Sequence, residues 1–297
     1  MTRRGFLKGL FGVILAGLLA SLYAFFIEPA LRLRVKIWRI QRKDWTAPPL
    51  RFVAISDLHV GDPYVGLRRV QQVVTRANAL GADLVVLLGD YAAGHRFITQ
   101  PVLIADVAPE LAKLQAKHGV YAILGNHDWW DDRTAQRQGG GPNLYAQALE
   151  AEGIPVLSNQ ALKLPEAGCW LAGLEDQLAL LRGSLGIIGL DDLPGTMAQI
   201  EDDGAPVVLL AHEPDIFPKV PDRVGLTLSG HTHGGQVRLF GWSPIVPSRY
   251  GNRYAYGHVR EGTRDLVVSG GLGFSILPVR FGVVPEITVI ELTGEQA

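Results

Sequence analysis

Five short apolar runs in this chain each stop at a residue able to bind a metal. Residues 51–56 lead into Asp57-Leu58-His59, and residues 82–88 into Gly89-Asp90. Residues 120–124 lead into Gly125-Asn126-His127-Asp128. Residues 206–210 lead into Ala211-His212, and residues 225–228 into Ser229-Gly230-His231-Thr232-His233. Apolar runs punctuated in this way read as buried strands. Residues 65–80, 102–117 and 143–152 have helical spacing and fall between or just after the first three strands. A β-α-β-α-β-α order implies an α/β sheet covered by helices. Further strands are expected at 155–157, 162–164, 170–173, 235–240, 265–269 and 286–292. The chain therefore reads as two packed mixed sheets flanked by helices. Residues 177–203 follow no clear pattern.

In α/β sheets, ligands bind at the carboxyl ends of the strands. Of the eight histidines, five sit in these positions, while His95, His118 and His258 lie elsewhere. Any one of the five motifs is an ordinary turn or helix cap taken alone. Five at one sheet edge are not explained by turns. Carboxylate, imidazole and amide oxygens suit hard or borderline divalent cations. Cys169 is the single cysteine, which excludes a disulfide framework and a thiolate-rich metal site. Two cations about 4 Å apart, bridged by one carboxylate, can clamp the attacking and departing oxygens of a phosphoryl transfer. They also lower the pKa of a shared water, so that hydroxide attacks at neutral pH. With 297 residues, 47% of them hydrophobic, the chain can build one substantial core. Its net charge of −1 marks no nucleic-acid partner.

The N-terminus carries a different signal. Arg3-Arg4, Phe6-Leu7 and Lys8 resemble a twin-arginine export signal. Residues 10–27 follow without a charge, long enough to span a bilayer and without a convincing cleavage site. Residues 1–30 are thus expected to be a signal or membrane anchor, and 31–297 the catalytic domain. Cations also follow the apolar run, from Arg32 to Lys43, and charge bias alone would place that side in the cytoplasm. The twin-arginine pattern favours the opposite orientation, with the domain on the outer face of the cytoplasmic membrane. In residues 31–37 apolar side chains alternate with cations. That reads as an edge strand with a cationic outer face, which protects the edge or meets anionic lipid.

The set D-x-H, G-D, G-N-H-D, H and G-H-x-H, in this order from Asp57 to His233, resembles the calcineurin-like metallophosphoesterases. Arg3-Arg4, Glu28-Pro29, Ala211-His212-Glu213-Pro214-Asp215, Gly230 to Gln236, Gly273-Phe274-Ser275, Arg280 and Pro285-Glu286 extend the resemblance to the twin-arginine-exported, YkuE/YaeI-like branch. The resemblance implies a two-sheet sandwich and two divalent metals, with manganese, iron, zinc and nickel all compatible. It implies that Asp57, His59, Asp90 and His233 bind one metal. Asp90, Asn126, His212 and His231 bind the other, with Asp90 as the bridge. His127 would face the leaving group, oriented by Asp128. The implied activity is phosphodiester hydrolysis on a membrane or envelope substrate, a phospholipid above all. A UDP-2,3-diacylglucosamine-type pyrophosphohydrolase, a phosphomonoesterase and a non-catalytic scaffold are the alternatives. The loop from Trp129-Trp130 to Pro142 is either a flexible connection or a lid using Arg133. Arg238, Arg253 and Arg280 are candidates for phosphate binding or for structural roles.

Overall fold

The computed structural model describes residues 2–91, 93–95 and 97–295. In chain order the main strands are β1 (Arg34–Arg42), β2 (Leu50–Ile55), β3 (Leu84–Leu87), β4 (Val120–Ala122), β5 (Gln160–Leu164), β6 (Cys169–Gly173), β7 (Val207–Leu210), β8 (Val224–Ser229), β9 (Gly257–Glu261), β10 (Arg264–Val268) and β11 (Glu286–Gly294). They form a five-stranded sheet, β1-β11-β2-β3-β4, and a six-stranded sheet, β9-β10-β8-β7-β6-β5. Strands β2, β3 and β4 run parallel, as do β6, β7, β8 and β10. Antiparallel β11 in the first sheet and β5 and β9 at the edges of the second make both sheets mixed.

Side chains alternate across a strand, so each apolar run feeds two layers at once. In β2, Phe52 and Ala54 pack between the sheets, while Val53 and Ile55 face the helices. In β3 the same division separates Leu84 and Val86 from Val85 and Leu87. In β7, Val208 and Leu210 enter the inter-sheet core, and Val207 and Leu209 form the outer face. This is why these strands read as unbroken apolar runs. The helices are α1 (Arg3–Leu22), α2 (Leu67–Asn78), α3 (Ile104–Leu111), α4 (Asn126–Trp130), α5 (Arg133–Gln138), α6 (Leu144–Ala151) and α7 (Leu193–Met197). Helix α2 covers the first sheet with Val70, Val73, Val74 and Ala77, the i, i+3, i+4, i+7 stripe of an amphipathic helix.

Several expected elements differ. The helix expected over 102–117 ends at Leu111. Residues 117 and 118 instead form a turn ahead of β4 and donate backbone N–H groups to the Ala82 and Asp83 carbonyls. Residues 155–157 form only a bridge, Val156 to Ala122. Residues 235–240 are no strand: Gly235, Gln236 and Phe240 have φ of 77°, 58° and 51°, which wind the chain into successive turns. Residues 177–203 fold into a two-residue hairpin, Leu180–Leu181 with Ile187–Ile188, followed by α7.

Strand β1 lies at a sheet edge, and Arg39 is exposed there, but two of its cations turn to carboxylates of other strands. Arg34 pairs with Glu286 at 2.7 Å, and Arg42 is buried against Asp265 beneath the second sheet. Burial opposes the Asp265 charge, but hydrogen bonds from His258, Arg260 and Arg42 outweigh it and bring its pKa to about 2. The stability this carboxylate contributes is therefore full above its unfolded pKa and lost as pH falls towards 2. Asp265→Ala leaves Arg42 buried without its partner and is expected to destabilise the fold by about 3–5 kcal/mol, measured by urea unfolding at pH 7.

Helix α1 buries no residue. It continues through a π-turn at Tyr23–Ile27 into Glu28–Leu31. The whole of Arg3–Leu31 has a mean hydropathy of 2.4 over its most apolar window, and only 6% of that window is buried. It is long and apolar enough to cross a membrane.

Candidate metal centre

Because β2, β3 and β4 are parallel, their carboxyl ends deliver Asp57, His59, Asp90 and Asn126 to one edge. Strands β7 and β8 deliver His212, His231 and His233 from the second sheet. The two edges meet. The His231 N–H donates to Asp57 Oδ1 at 2.8 Å, across the sheets. His59 Nε2 and His212 Nε2 lie 3.4 and 3.2 Å from the same oxygen, Asp90 Oδ2. His59 Nε2 is 3.1 Å from His233 Nε2, which is 3.6 Å from Asp57 Oδ1. His231 Nδ1 is 2.9 Å from Asn126 Oδ1. Thus all seven expected ligands come together, and Asp90 stands between the two groups.

Backbone strain concentrates here. Among the described residues, nine non-glycines have positive φ, and Asp57, His59, Asp90, His231 and His233 are five of them. Such conformations cost roughly 1–3 kcal/mol each and persist where the surroundings over-determine them. The glycines permit the approach. A Cβ on Gly230 would lie 1.9 Å from Ser56 Oγ and 2.6 Å from Asp57 Oδ2. One on Gly125 would lie 2.4 Å from Asp90 Oδ1 and 2.7 Å from the Asp90 backbone nitrogen. Gly125→Ala must therefore displace Asp90. It is expected to weaken manganese binding by about 10–100-fold, measured by calorimetric titration.

The donor set fits cations. Burial raises the Asp57 pKa, with His212 opposing and Asp90 reinforcing the shift. Burial also acts to raise the Asp90 pKa, but His212, His127 and His59 outweigh it and hold the carboxyl well below its ordinary range. Burial would lower the His212 pKa, yet Asp90, Glu213 and Asp57 drive it well upward. The centre is thus a place where positive charge is favoured. His212 Nδ1 lies 2.6 Å from the Leu88 carbonyl, which fixes the ring. Its Nε2 is buried and faces the centre, 3.2 Å from Asp90 Oδ2. An imidazole whose second nitrogen is held by a carbonyl is the usual arrangement of a metal ligand. His233 is held neutral, its pKa well lowered by burial, His59 and Arg280.

His127 sits half-buried in the cavity wall, its ring 4.8 Å from that of His59 and 5.0 Å from that of Trp130. Asp128, next in sequence, is buried at the base of the same loop. Its oxygens accept N–H groups from Asp90, Tyr91 and Gly125, at 2.8 to 2.9 Å. The carboxylate therefore locks the β3 loop to the β4 loop. The 129–142 segment is largely exposed but anchored at three points. Trp129 bonds Glu175, Trp130 bonds the Leu178 carbonyl, and Asp132 caps α5. Arg133 is exposed beyond the cap. None of the three arginines is directed at the cavity by its bonds. Arg280 is buried, donates to the carbonyls of Gly270, Gly273 and Val283, and lies 3.2 Å from His233 Nδ1. Arg253 pairs with Glu261, and Arg238 bonds Ser243 and Asn252.

Sequence reasoning missed three residues. Glu213 lies 3.8 Å from His231 Nδ1. Asp176 joins Glu213 and His212 in one buried cluster, and burial and Glu213 push its pKa well up. Glu213 is adjacent to His212 in sequence, a signal that was available, whereas Asp176 is brought in only by the fold. The loop carrying His95 comes up to His127. A Cβ on Gly94 would lie 3.2 Å from both His127 Nδ1 and Asp131 Oδ1. Burial, with His127, lowers the His95 pKa to about 4.

Beside the centre lies a cavity of about 400 Å³ lined by Asn126, His127, Trp130, His231 and His233 on one side. Ile245, Ile276, Leu277 and Val279 line the other, with Pro244 and Pro247.

Residues 50–235 match the family model for the calcineurin-like phosphoesterases. The chain is 34% identical to the uncharacterized metallophosphoesterase YkuE of Bacillus subtilis, over 98% of both chains. It is 28% identical to the phosphodiesterase YaeI of Escherichia coli, over 83% of both. It is also 30% identical to a transmembrane protein with a metallophosphoesterase domain from Danio rerio, over 82% of this chain and 53% of that one. Members of the family use a pair of divalent metals, and the clustered aspartates and histidines supply the donors for such a pair. The chain belongs to the calcineurin-like metallophosphoesterases, in the YkuE/YaeI-like branch, and is a metal-dependent phosphoric ester hydrolase.

Proposed function

We propose that the protein hydrolyses a phosphodiester of the membrane or envelope, a phospholipid above all, with residues 1–30 as anchor and 31–297 as catalytic domain. The observation that carries the reading is Asp90 Oδ2, placed between His59 of one sheet and His212 of the other. Asp57, His59, Asp90 and His233 would hold one cation, and Asp90, Asn126, His212 and His231 the second. A bound cation pair supplies Lewis acidity and neutralises charge on the phosphoryl oxygens. Asp90 positions both donor sets. His127, in the cavity wall, gives a proton to the departing oxygen. Asp128 keeps the His127 loop fixed against the Asp90 loop. The apolar wall opposite excludes water and receives the hydrocarbon part of the ester. The name of YaeI, a phosphodiesterase, supports a diester substrate.

The Arg3-Arg4 leader supports export by the twin-arginine machinery, with the domain on the outer face of the cytoplasmic membrane. A reporter fused to the C-terminus tests this: activity only on the cytoplasmic side refutes it. Turnover is tested with manganese-loaded protein on bis-p-nitrophenyl phosphate and p-nitrophenyl phosphate. Faster release from the diester is expected. Preference for the monoester makes the protein a phosphatase, and silence in both with two metals bound refutes the simple-diester reading.

A further inference from the structure

Two loops at the mouth of the cavity present large apolar side chains to solvent. The first, after His233, carries Phe240, which is fully exposed, with Trp242 and Ile245 beside it in sequence. The second carries Ile276 and Leu277, Ile276 being 76% exposed. Phe240 and Ile276 both have left-handed backbones, φ 51° and 66°. A bulky or β-branched residue in that region is unusual, and neither side chain gains burial in return. Exposed apolar residues scattered singly need no explanation, but a cluster rimming a cavity does.

The two loops are laced together. Gln236 Nε2 donates to the Leu277 and Val279 carbonyls, Arg238 N–H to the Phe281 carbonyl, and Ser275 N–H to Gln236 Oε1. The same loops hold the end of the apolar N-terminal helix. The Arg280 N–H donates to the Ala24 carbonyl at 2.9 Å, and Phe281 stacks edge-on with Tyr23 at 6.0 Å. The helix that is apolar enough to cross a membrane therefore leaves the domain beside these loops. The cavity wall they build, Ile245, Ile276, Leu277 and Val279 with two prolines, runs from this rim to His231 and His233.

We infer that the loops around Phe240 and Ile276 dock into the surface of the bilayer that holds the N-terminal helix, so that the cavity opens onto the lipid and takes its ester from within the membrane plane. The inference rests on the reading of residues 1–30 as an anchor. Continuity with that helix selects a lipid surface over a protein partner. Aromatic side chains belong at this depth, where an apolar ring meets wet headgroups.

The full chain is reconstituted in vesicles of phosphatidylethanolamine and phosphatidylglycerol, with Phe240→Cys, Trp242→Cys or Glu166→Cys carrying an environment-sensitive dye. Cys169 is buried and leaves labelling to the new position. Brominated acyl chains are expected to quench most of the emission at 240 and 242 and little at 166, on the turn between β5 and β6. Equal quenching at all three positions, or none at 240 and 242, overturns the docking and assigns the patch to a protein partner. The double variant Phe240→Asp with Trp242→Asp is the second measurement; aspartate tolerates the left-handed backbone at 240. It is expected to leave turnover of bis-p-nitrophenyl phosphate unchanged while lowering hydrolysis of a fluorescent phosphatidylglycerol in the vesicles by at least about tenfold. An equal effect on both esters overturns the docking. If the unaltered chain turns over neither ester, the phosphodiesterase reading fails, and the quenching still decides the docking.

Discussion

Asp90→Ala is expected to remove both metals together and lower turnover by at least about a thousandfold. In the proposed centre the other ligands would serve one cation each, but Asp90 Oδ2 faces His59 and His212 from opposite sheets. Removal of its charge leaves His212 buried beside one fewer carboxylate, so less negative field remains to hold any cation there. Asp90 Oδ1 also accepts the His127 N–H at 2.9 Å, so the variant loosens the loop that carries His127. Metal content by plasma emission spectrometry and turnover of a simple diester check both parts. Retention of two tightly bound metals by Asp90→Ala refutes the bridging role. Asp90→Asn keeps the shape and one oxygen, and is expected to fall between, with weakened metals and reduced turnover.

His127→Ala separates metal binding from proton transfer. Its imidazole is half-buried in the cavity wall and lies outside the set of seven ligands. The variant is expected to keep two metals and the fold, and to lose about 10²–10⁴-fold in turnover. The loss should shrink for esters with acidic leaving groups, which depart without a proton. Comparison of a nitrophenyl ester with an alkyl ester reads that difference. An equal loss for both would show that His127 stabilises charge and donates no proton to the leaving oxygen. Asp128→Asn is expected to act differently. Its carboxylate accepts three backbone N–H groups, so its replacement should lower thermal stability along with activity.

The clustered donor side chains were legible because their chemistry is local. Each lies within a few residues of an apolar run, and the run itself announces a strand that ends there. The strand-by-strand division of β2, β3 and β7 into two apolar faces was likewise written in unbroken hydrophobic runs. Residues 235–240 misled because alternating apolar side chains also suit successive turns, and the glycines decide for turns. The alternating cations of β1 misled in another way. Alternation fixes which side chains share a face, but not what that face meets, and here Glu286 and Asp265 come from hundreds of residues away. The place of Asp128 next to His127 was legible, but the bonds its carboxylate accepts from the backbone of Asp90 and Tyr91 join two separate loops and no local pattern records them.

By itself the sequence determined the fold class, the seven donor residues and the apolar helix, since hydrophobic period and side-chain chemistry are properties of short stretches. The tertiary structure alone decided that Asp90 stands between two sheets, that Asp176 joins His212 and Glu213, and that the helix leaves the domain against Arg280 and Phe281. These are contacts between distant segments. They follow from how two sheets pack and how loops bond to each other, and no local pattern records them.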